Sequence, residues 1–188
     1  MEPIKIVAQV FGILGMIANF VSYQQKQQKR AIACLFFAAV LFAINYLLLG
    51  EDAYAGALLN GIGAIRAIVF INGEKLKSEH PAWLIGFIMA FATVYPLIFL
   101  AFDREPTTKN LIIEVLPVAG MILSTISFRM KKAKYIRRFG MFSSPMWLVY
   151  NIFCFSIGGI VSEIFNLASI IIGTIRFDIR KKTEENEK

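Results

Sequence analysis

Two asparagines set fifteen residues apart occur twice in this chain, Asn45 with Asn60 and Asn151 with Asn166, each inside otherwise apolar sequence. A side-chain amide is both donor and acceptor, so paired amides suit a neutral hydroxylated or amide-bearing ligand. Trp147 lies four residues before Asn151, on the same face of a helix, where its indole either stacks on a ring-shaped ligand or fills the core. Three ionisable residues, Arg66, Glu114 and Glu163, sit within apolar stretches. Intramembrane charge is costly and therefore points to function, here charge or proton coupling. Glu163 shares a helix face with Asn166 and is placed to line the same cavity. Each residue also has a purely structural reading. Asn60 and Asn166 can act as interhelical glue, and Asn45 and Asn151 can tie short hairpins together. Arg66 can snorkel to a nearby boundary, and both glutamates can serve helix starts. Enzyme chemistry is not expected. The single histidine, His80, lies in a polar stretch, and no metal-ligand cluster, nucleophile elbow or phosphate-binding glycine loop is present, so no cofactor or metal is expected either.

The elements that must position these side chains are membrane helices. The 188 residues are 57% hydrophobic, with a mean hydropathy of +0.61, too apolar for an ordinary soluble domain. A spanning helix needs ~20 mostly apolar residues. Seven such segments are expected, over 6–23, 31–50, 53–71, 82–102, 111–128, 139–157 and 159–177. Their apolar character is continuous rather than alternating, which excludes barrel strands. The fold class is therefore an all-α membrane protein, and its partner is the lipid bilayer.

The net charge of +7 does not indicate nucleic acid, because its distribution is one-sided. With the N-terminus outside, sixteen Lys and Arg residues fall on the inner side, among them Lys26, Arg30, Lys75, Arg129, Arg138, Arg176 and Arg180, and three fall outside. Basic loops mark the cytoplasmic face, which places the C-terminus inside. Cys34 and Cys154 lie within apolar segments, where packing is the default role.

The chain also repeats itself about 105 residues apart. VFGILGMIANFVSY at 10–23 is echoed by VLPVAGMILSTISF at 115–128, with Gly15, Met16, Ile17 and Ser22 matching Gly120, Met121, Ile122 and Ser127. Three apolar segments belong to each copy and a seventh lies between, so the halves are parallel repeats in a 3+1+3 arrangement. The expected units are a first three-helix bundle at 1–73, a linker helix with its loops at 74–109, a second bundle at 110–178 and a charged tail at 179–188. Asn60 and Asn166 each lie about seven residues into the third helix of their unit, roughly 10 Å below the same boundary at ~1.5 Å per residue. Gly12, Gly15, Gly120, Pro117 and Pro145 thin or interrupt the bundles, either as hinges or as tight packing points.

EVLPVAGMILST (114–125), MFSSPMWLVYN (141–151), SIGGIVSE (156–163) and the closing IRF (175–177) resemble the YgjV family of bacterial inner-membrane proteins, and GALLNGIGAIR (56–66) fits more loosely. That resemblance implies a cytoplasmic-membrane location and no established activity. The chain is more distantly similar to the SWEET, SemiSWEET and PQ-loop superfamily. In its sugar carriers, asparagines on the third and seventh helices and a tryptophan on the sixth line the sugar pocket, positions matched here by Asn60, Asn166 and Trp147. The departure is that no Pro-Gln pair occurs, and only Pro117 and Pro145 match the carriers' helix prolines.

Two functions follow as expectations. One is a carrier of an unidentified small polar molecule, rocking two three-helix bundles around a pocket of Asn60, Asn166, Trp147, Asn45, Asn151 and Glu163. The other is a non-transporting receptor or partner-binding protein with the same fold. A polar cavity between the bundles favours the first, and a core packed solid around the asparagines favours the second. Self-association into a homo-oligomer is left open by the sequence.

Overall fold

The computed structural model describes residues 3–102 and 104–179. The expected tail, apart from Ile179, lies outside these residues, and so do Arg180, Lys181, Lys182 and Lys188 of the charge count. All regular structure among the described residues is helical. Seven long helices, α1 (Pro3–Tyr23), α2 (Gln28–Leu49), α3 (Tyr54–Ile71), α5 (Pro81–Ala101), α6 (Thr108–Arg129), α7 (Ala133–Phe153) and α8 (Ile157–Thr174), are joined by short turns, with one further turn of helix, α4 (Gly73–Leu76), before α5. Their starts have physical causes. The Thr107 side chain accepts from the backbone N–H of Asn110 to open α6, Ser156 accepts from Gly159 to open α8, and Pro81 occupies the first position of α5, where no N–H is required. A π-helical turn, Ile175–Ile179, closes the described chain.

Six of these helices, all but α7, are long and apolar enough to cross a membrane, α3 with its preceding 3-10 turn and α8 with its following π turn. Large apolar side chains cover their outer faces, including Ile4, Val10, Phe37, Ile65, Ile85, Leu100 and Ile164. An apolar exterior around buried polar side chains is what a bilayer selects. α7 differs. It is 21 residues long, but Lys134, Arg137 and Arg138 load its first turns and Ser143 and Ser144 its middle. The sequence expectation began this segment at 139, after the basic run, whereas the helix begins at Ala133. The extension is held by Arg137, which is buried and gives Asp178 two hydrogen bonds, Nε to Oδ2 at 2.9 Å and Nη2 to Oδ1 at 2.5 Å.

The long helices close into a ring. α1 packs on α2, α2 on α3, α6 on α7, α7 on α8, and α8 returns to α1. On the opposite side α3 meets α6 more sparsely, and α5 packs against both. The two seams are built differently. Along α1–α8 the backbones nearly touch: a Cβ on Gly158 would lie 2.9 Å from the Gly12 Cα, and one on Gly173 would lie 2.7 Å from the Tyr23 carbonyl oxygen. Polar ties run the length of this seam. The Gly158 N–H donates to Gln9 Oε1 at 2.8 Å, Ser169 Oγ donates to the Phe20 carbonyl at 2.9 Å, and Gln24 Nε2 donates to Ser169 Oγ at 2.8 Å. The α3–α5–α6 side is instead filled by side chains such as Leu59, Phe87, Phe91, Val118 and Met121.

Candidate functional site

Helix direction defines two ends. The basic turns around Lys26, Lys29, Lys75, Lys131 and Lys132 gather at one, and the short turns at 50–53 and 154–156 at the other. The basic end opens into a vestibule of about 1120 Å³, lined by Lys26, Lys29, Phe128, Arg129, Lys131 and Arg176 among others. Glu79 stands at its rim bonded to Lys131, whose ammonium holds that carboxyl below the usual carboxylate range. Deeper lies a narrow cavity of about 100 Å³, more apolar than polar in its lining but holding several polar side chains, with contributions from α1, α2, α3, α6, α7 and α8. Phe128 lines both spaces and separates them.

The cavity walls have distinct chemistry. On one side Tyr23, Ser144, Glu163 and Asn166 lie together, and Asn166 Nδ2 donates to Glu163 Oε2 at 3.2 Å. Asn166 Oδ1 is buried without a partner. Glu163 is buried and has no ion-pair partner among the described residues. Across from them are Asn60 and Arg66 of α3, with Ser124 of α6. Asn60 Nδ2 donates to its own helix at the Gly56 carbonyl, 2.9 Å. Trp147 forms part of the wall, its indole set so closely on α6 that a Cβ at Gly120 would come within 3.0 Å of Nε1. Gly15 on α1 receives the Phe42 ring in the same way, at 2.9 Å.

Away from the vestibule the cavity is shut by aromatic rings. Phe42 stacks on Tyr46 at 6.0 Å, Tyr46 on Trp147 at 6.1 Å, and Tyr150 meets Trp147 edge-on at 5.7 Å. Hydrogen bonds lock the closure. The Tyr46 hydroxyl donates to Asn151 Oδ1 at 2.6 Å, and the Gly56 N–H donates to the Tyr150 hydroxyl at 2.8 Å.

The eight candidate residues therefore fall into two groups. Asn60, Asn166, Trp147, Glu163 and Arg66 share the cavity. Asn45, Asn151 and Glu114 do not line it. Asn45 Nδ2 donates to the Ala8 carbonyl at 2.6 Å and Asn45 Oδ1 accepts from Ser156 Oγ at 3.1 Å, joining α2 to α1 and to the turn before α8. Asn151 belongs to the closure. Glu114 lies 3.5 Å from Arg104 Nε, and Arg104 also pairs with Asp52. Burial opposes the charge on Arg104, yet these two carboxylates outweigh it and hold its pKa above the usual value. Arg66, expected near enough to a boundary to snorkel, instead turns inward to α6 and is 5% exposed. Sequence reasoning did not single out Asn19, Tyr23, Ser143 and Ser144. The signal for the serines was a consecutive pair, with Pro145 next, in the middle of an apolar segment.

The chain matches the Imp-YgjV family, described as bacterial inner membrane protein, over residues 6–181. It is 27% identical over 172 residues to the inner membrane protein YgjV of Escherichia coli (strain K12), covering 91% of this chain and 84% of that relative. No solved structure gives a significant match. A multi-pass protein of the bacterial inner membrane is the location these matches and the apolar helices define.

Proposed function

The chain belongs to the Imp-YgjV family of bacterial inner membrane proteins, and from that premise we propose that it is a small-molecule carrier working by alternating access between two three-helix units. The first unit is α1–α3 and the second α6–α8, with α5 as the linker and α7 counted as a crossing, a SWEET-like 3+1+3 arrangement. One observation carries this reading: a cavity with a few buried polar groups is lined by both units, with Asn60 and Arg66 from one and Trp147, Glu163 and Asn166 from the other. Substrate sites of repeat-built carriers lie at such an interface near the midplane. With Phe128 between the cavity and the open basic vestibule and a bonded aromatic closure at the other end, the cavity is occluded and has its thinner barrier toward the basic side. The cavity is smaller than the ~300 Å³ at which ligand pockets usually begin, so loading requires the units to part.

Matching positions make matching contacts, which supports two equivalent units. Gly15 takes Phe42 and Gly120 takes Trp147, each pair from the first two helices of its unit. Ser22 Oγ donates to the Asn19 carbonyl at 2.6 Å, and its counterpart Ser127 Oγ donates to the Ser124 carbonyl at 2.7 Å. An odd number of crossings in the first unit and linker together would reverse the second unit; four crossings keep the two parallel. The excess of Lys and Arg at the vestibule end makes that end cytoplasmic and the N-terminus external.

The test is uptake into proteoliposomes of sugars, amino acids and nucleosides, under either electrical polarity and with or without a pH gradient. Transport of none of them would count against a carrier. Glu163 faces Tyr23 from α1, Ser144 from α7 and, more distantly, Tyr46 of α2, and no cation pairs with it among the described residues. It is the carboxyl through which a proton gradient would act. Glu163→Gln is expected to leave downhill exchange measurable and remove the response of uptake to an imposed pH gradient. An unchanged pH response in that variant would take Glu163 out of the coupling.

A further inference from the structure

We infer that the cavity recognises a small organic anion, gripping its carboxylate or phosphate group with Arg66 after entry through the basic vestibule. The inference rests on the same cavity as the carrier reading and adds the ligand's chemistry.

Arg66 is 5% exposed and lies in the fourth turn of α3, with no carboxylate in ion-pair range among the described residues. A guanidinium stays protonated in proteins, so it cannot relieve burial by losing its charge. Its surroundings orient it without neutralising it. Nη1 donates to the Met121 carbonyl at 2.9 Å, Ser124 Oγ at 2.7 Å and Thr125 Oγ1 at 2.8 Å, all on α6. The Phe128 ring lies 4.4 Å and the Phe91 ring 5.3 Å from the guanidinium carbon. Nε is buried without a partner. Nη2 also has no hydrogen-bond partner among the described residues, and the Met121 methyl packs on Gly63 beside it, 2.7 Å from where a Cβ would stand. One edge of the fork is thus fixed by α6 while the donors suited to a planar anion remain unspent.

The path to this edge is biased toward anions. The vestibule lining holds eight basic residues, Arg137 included, against Glu74, Glu79 and Asp178. Of those acids, Glu79 is engaged by Lys131 and Asp178 by Arg137. A basic funnel with low-dielectric walls raises the local concentration of anions. Phe128 stands between funnel and Arg66, so the ring that shields the guanidinium is also the one an incoming ligand must displace. Glu163 marks the cavity's far end, about 9 Å farther from the vestibule by helical rise. The ligand's other end is therefore neutral or cationic. A strut joining α3 to α6 would account for the Nη1 bonds alone; it leaves Nε and Nη2 unexplained.

The experiment compares matched probes on the purified full chain in detergent, by thermal shift and calorimetry at constant ionic strength: lactate, benzoate and inorganic phosphate against lactamide and benzamide. A carboxylate or phosphate is expected to raise the melting temperature where its neutral amide does not, and the arm that responds tells carboxylate from phosphate. Arg66→Gln is expected to weaken binding roughly tenfold or more, the scale of a lost charge-assisted hydrogen bond, while Lys109→Gln, which lines neither the vestibule nor the cavity, leaves affinity largely intact. Equal shifts by the amides, anion binding that survives Arg66→Gln, or no shift by any anion would each overturn the inference. If Arg66→Gln does not give folded protein, Arg66→Lys is judged by the same criterion, since an ammonium keeps the charge and loses the fork. Anion binding without uptake would leave Arg66 as the ligand's anchor and sink the carrier; uptake of a neutral solute, with no anion bound, would do the reverse.

Discussion

Asn60→Ala and Asn166→Ala are each expected to reduce uptake by at least roughly tenfold while leaving a folded, monodisperse protein, because each removes a ligand-facing hydrogen-bonding group and little else. The hydrogen bonds make this separation of effects possible. Among the described residues Asn60 donates only to Gly56, four residues back on α3, and Asn166 only to Ser162 and Glu163 on α8. Neither amide joins one helix to another, so neither is needed to hold the bundle together. Asn45 and Asn151 do join helices, through Ala8, Ser156 and Tyr46. The contrast supplies the control: Asn45→Ala should lower the melting temperature, since it strands a buried carbonyl and a buried hydroxyl. Uptake that persists in Asn60→Ala and Asn166→Ala would remove both from the pocket. Loss of folding in either would return them to a structural role.

The second large effect is at the α1–α8 seam. Gly158→Val is expected to destabilise the protein by about 3 kcal/mol or more, at or above the usual range for overpacking, because the obstruction is backbone. A Cβ there would meet Gly12 Cα at 2.9 Å and its carbonyl carbon at 3.1 Å, and neither atom can rotate away. The added bulk would also displace the Gly158 N–H from Gln9. Gly61→Ala is the matched control, because an added Cβ there meets nothing within 4 Å. Thermal unfolding in detergent reads both. A Gly158→Val protein as stable as the parent would mean that α1 and α8 are not in backbone contact. The close-packed seam also bears on motion. It can act as the fixed hinge line, while the side-chain-filled α3–α5–α6 side has fewer obligatory contacts to break.

How far these features were legible in the sequence differs by residue, for physical reasons. Continuous apolar runs marked seven segments, and six of them are helices long and apolar enough to cross a membrane, because bilayer burial demands little more than length and hydrophobicity. The start of α7 was hidden, since Lys134, Arg137 and Arg138 resemble a loop until Asp178, forty-one residues away, is seen to pair with Arg137. Depth arithmetic brought Asn60 and Asn166 to one level, a shared helix face added Glu163, and all three line one cavity. Spacing alone could not divide the asparagines into cavity-facing and helix-joining pairs, because that depends on which neighbour offers an acceptor. For Arg66 the choice between an inward functional charge and snorkelling was open for a related reason. Distance to the boundary permitted snorkelling, but three acceptors on α6 and two aromatic faces drew the guanidinium inward. The echo of Gly15 in Gly120 was visible as letters, and its cause, an aromatic ring seated on each glycine, is visible only in three dimensions.

Alternating access can be tested without knowing the ligand. Ser143 lines the cavity, and the two native thiols, Cys34 and Cys154, are free cysteines that can be replaced by alanine. In that background Ser143→Cys is exposed to a membrane-impermeant thiol reagent in right-side-out and in inverted vesicles, with Lys131→Cys in the vestibule as the marker for one face. A carrier gives labelling of position 143 from both faces and of position 131 from one. Labelling of position 143 from the basic face only, or from neither, would contradict alternating access.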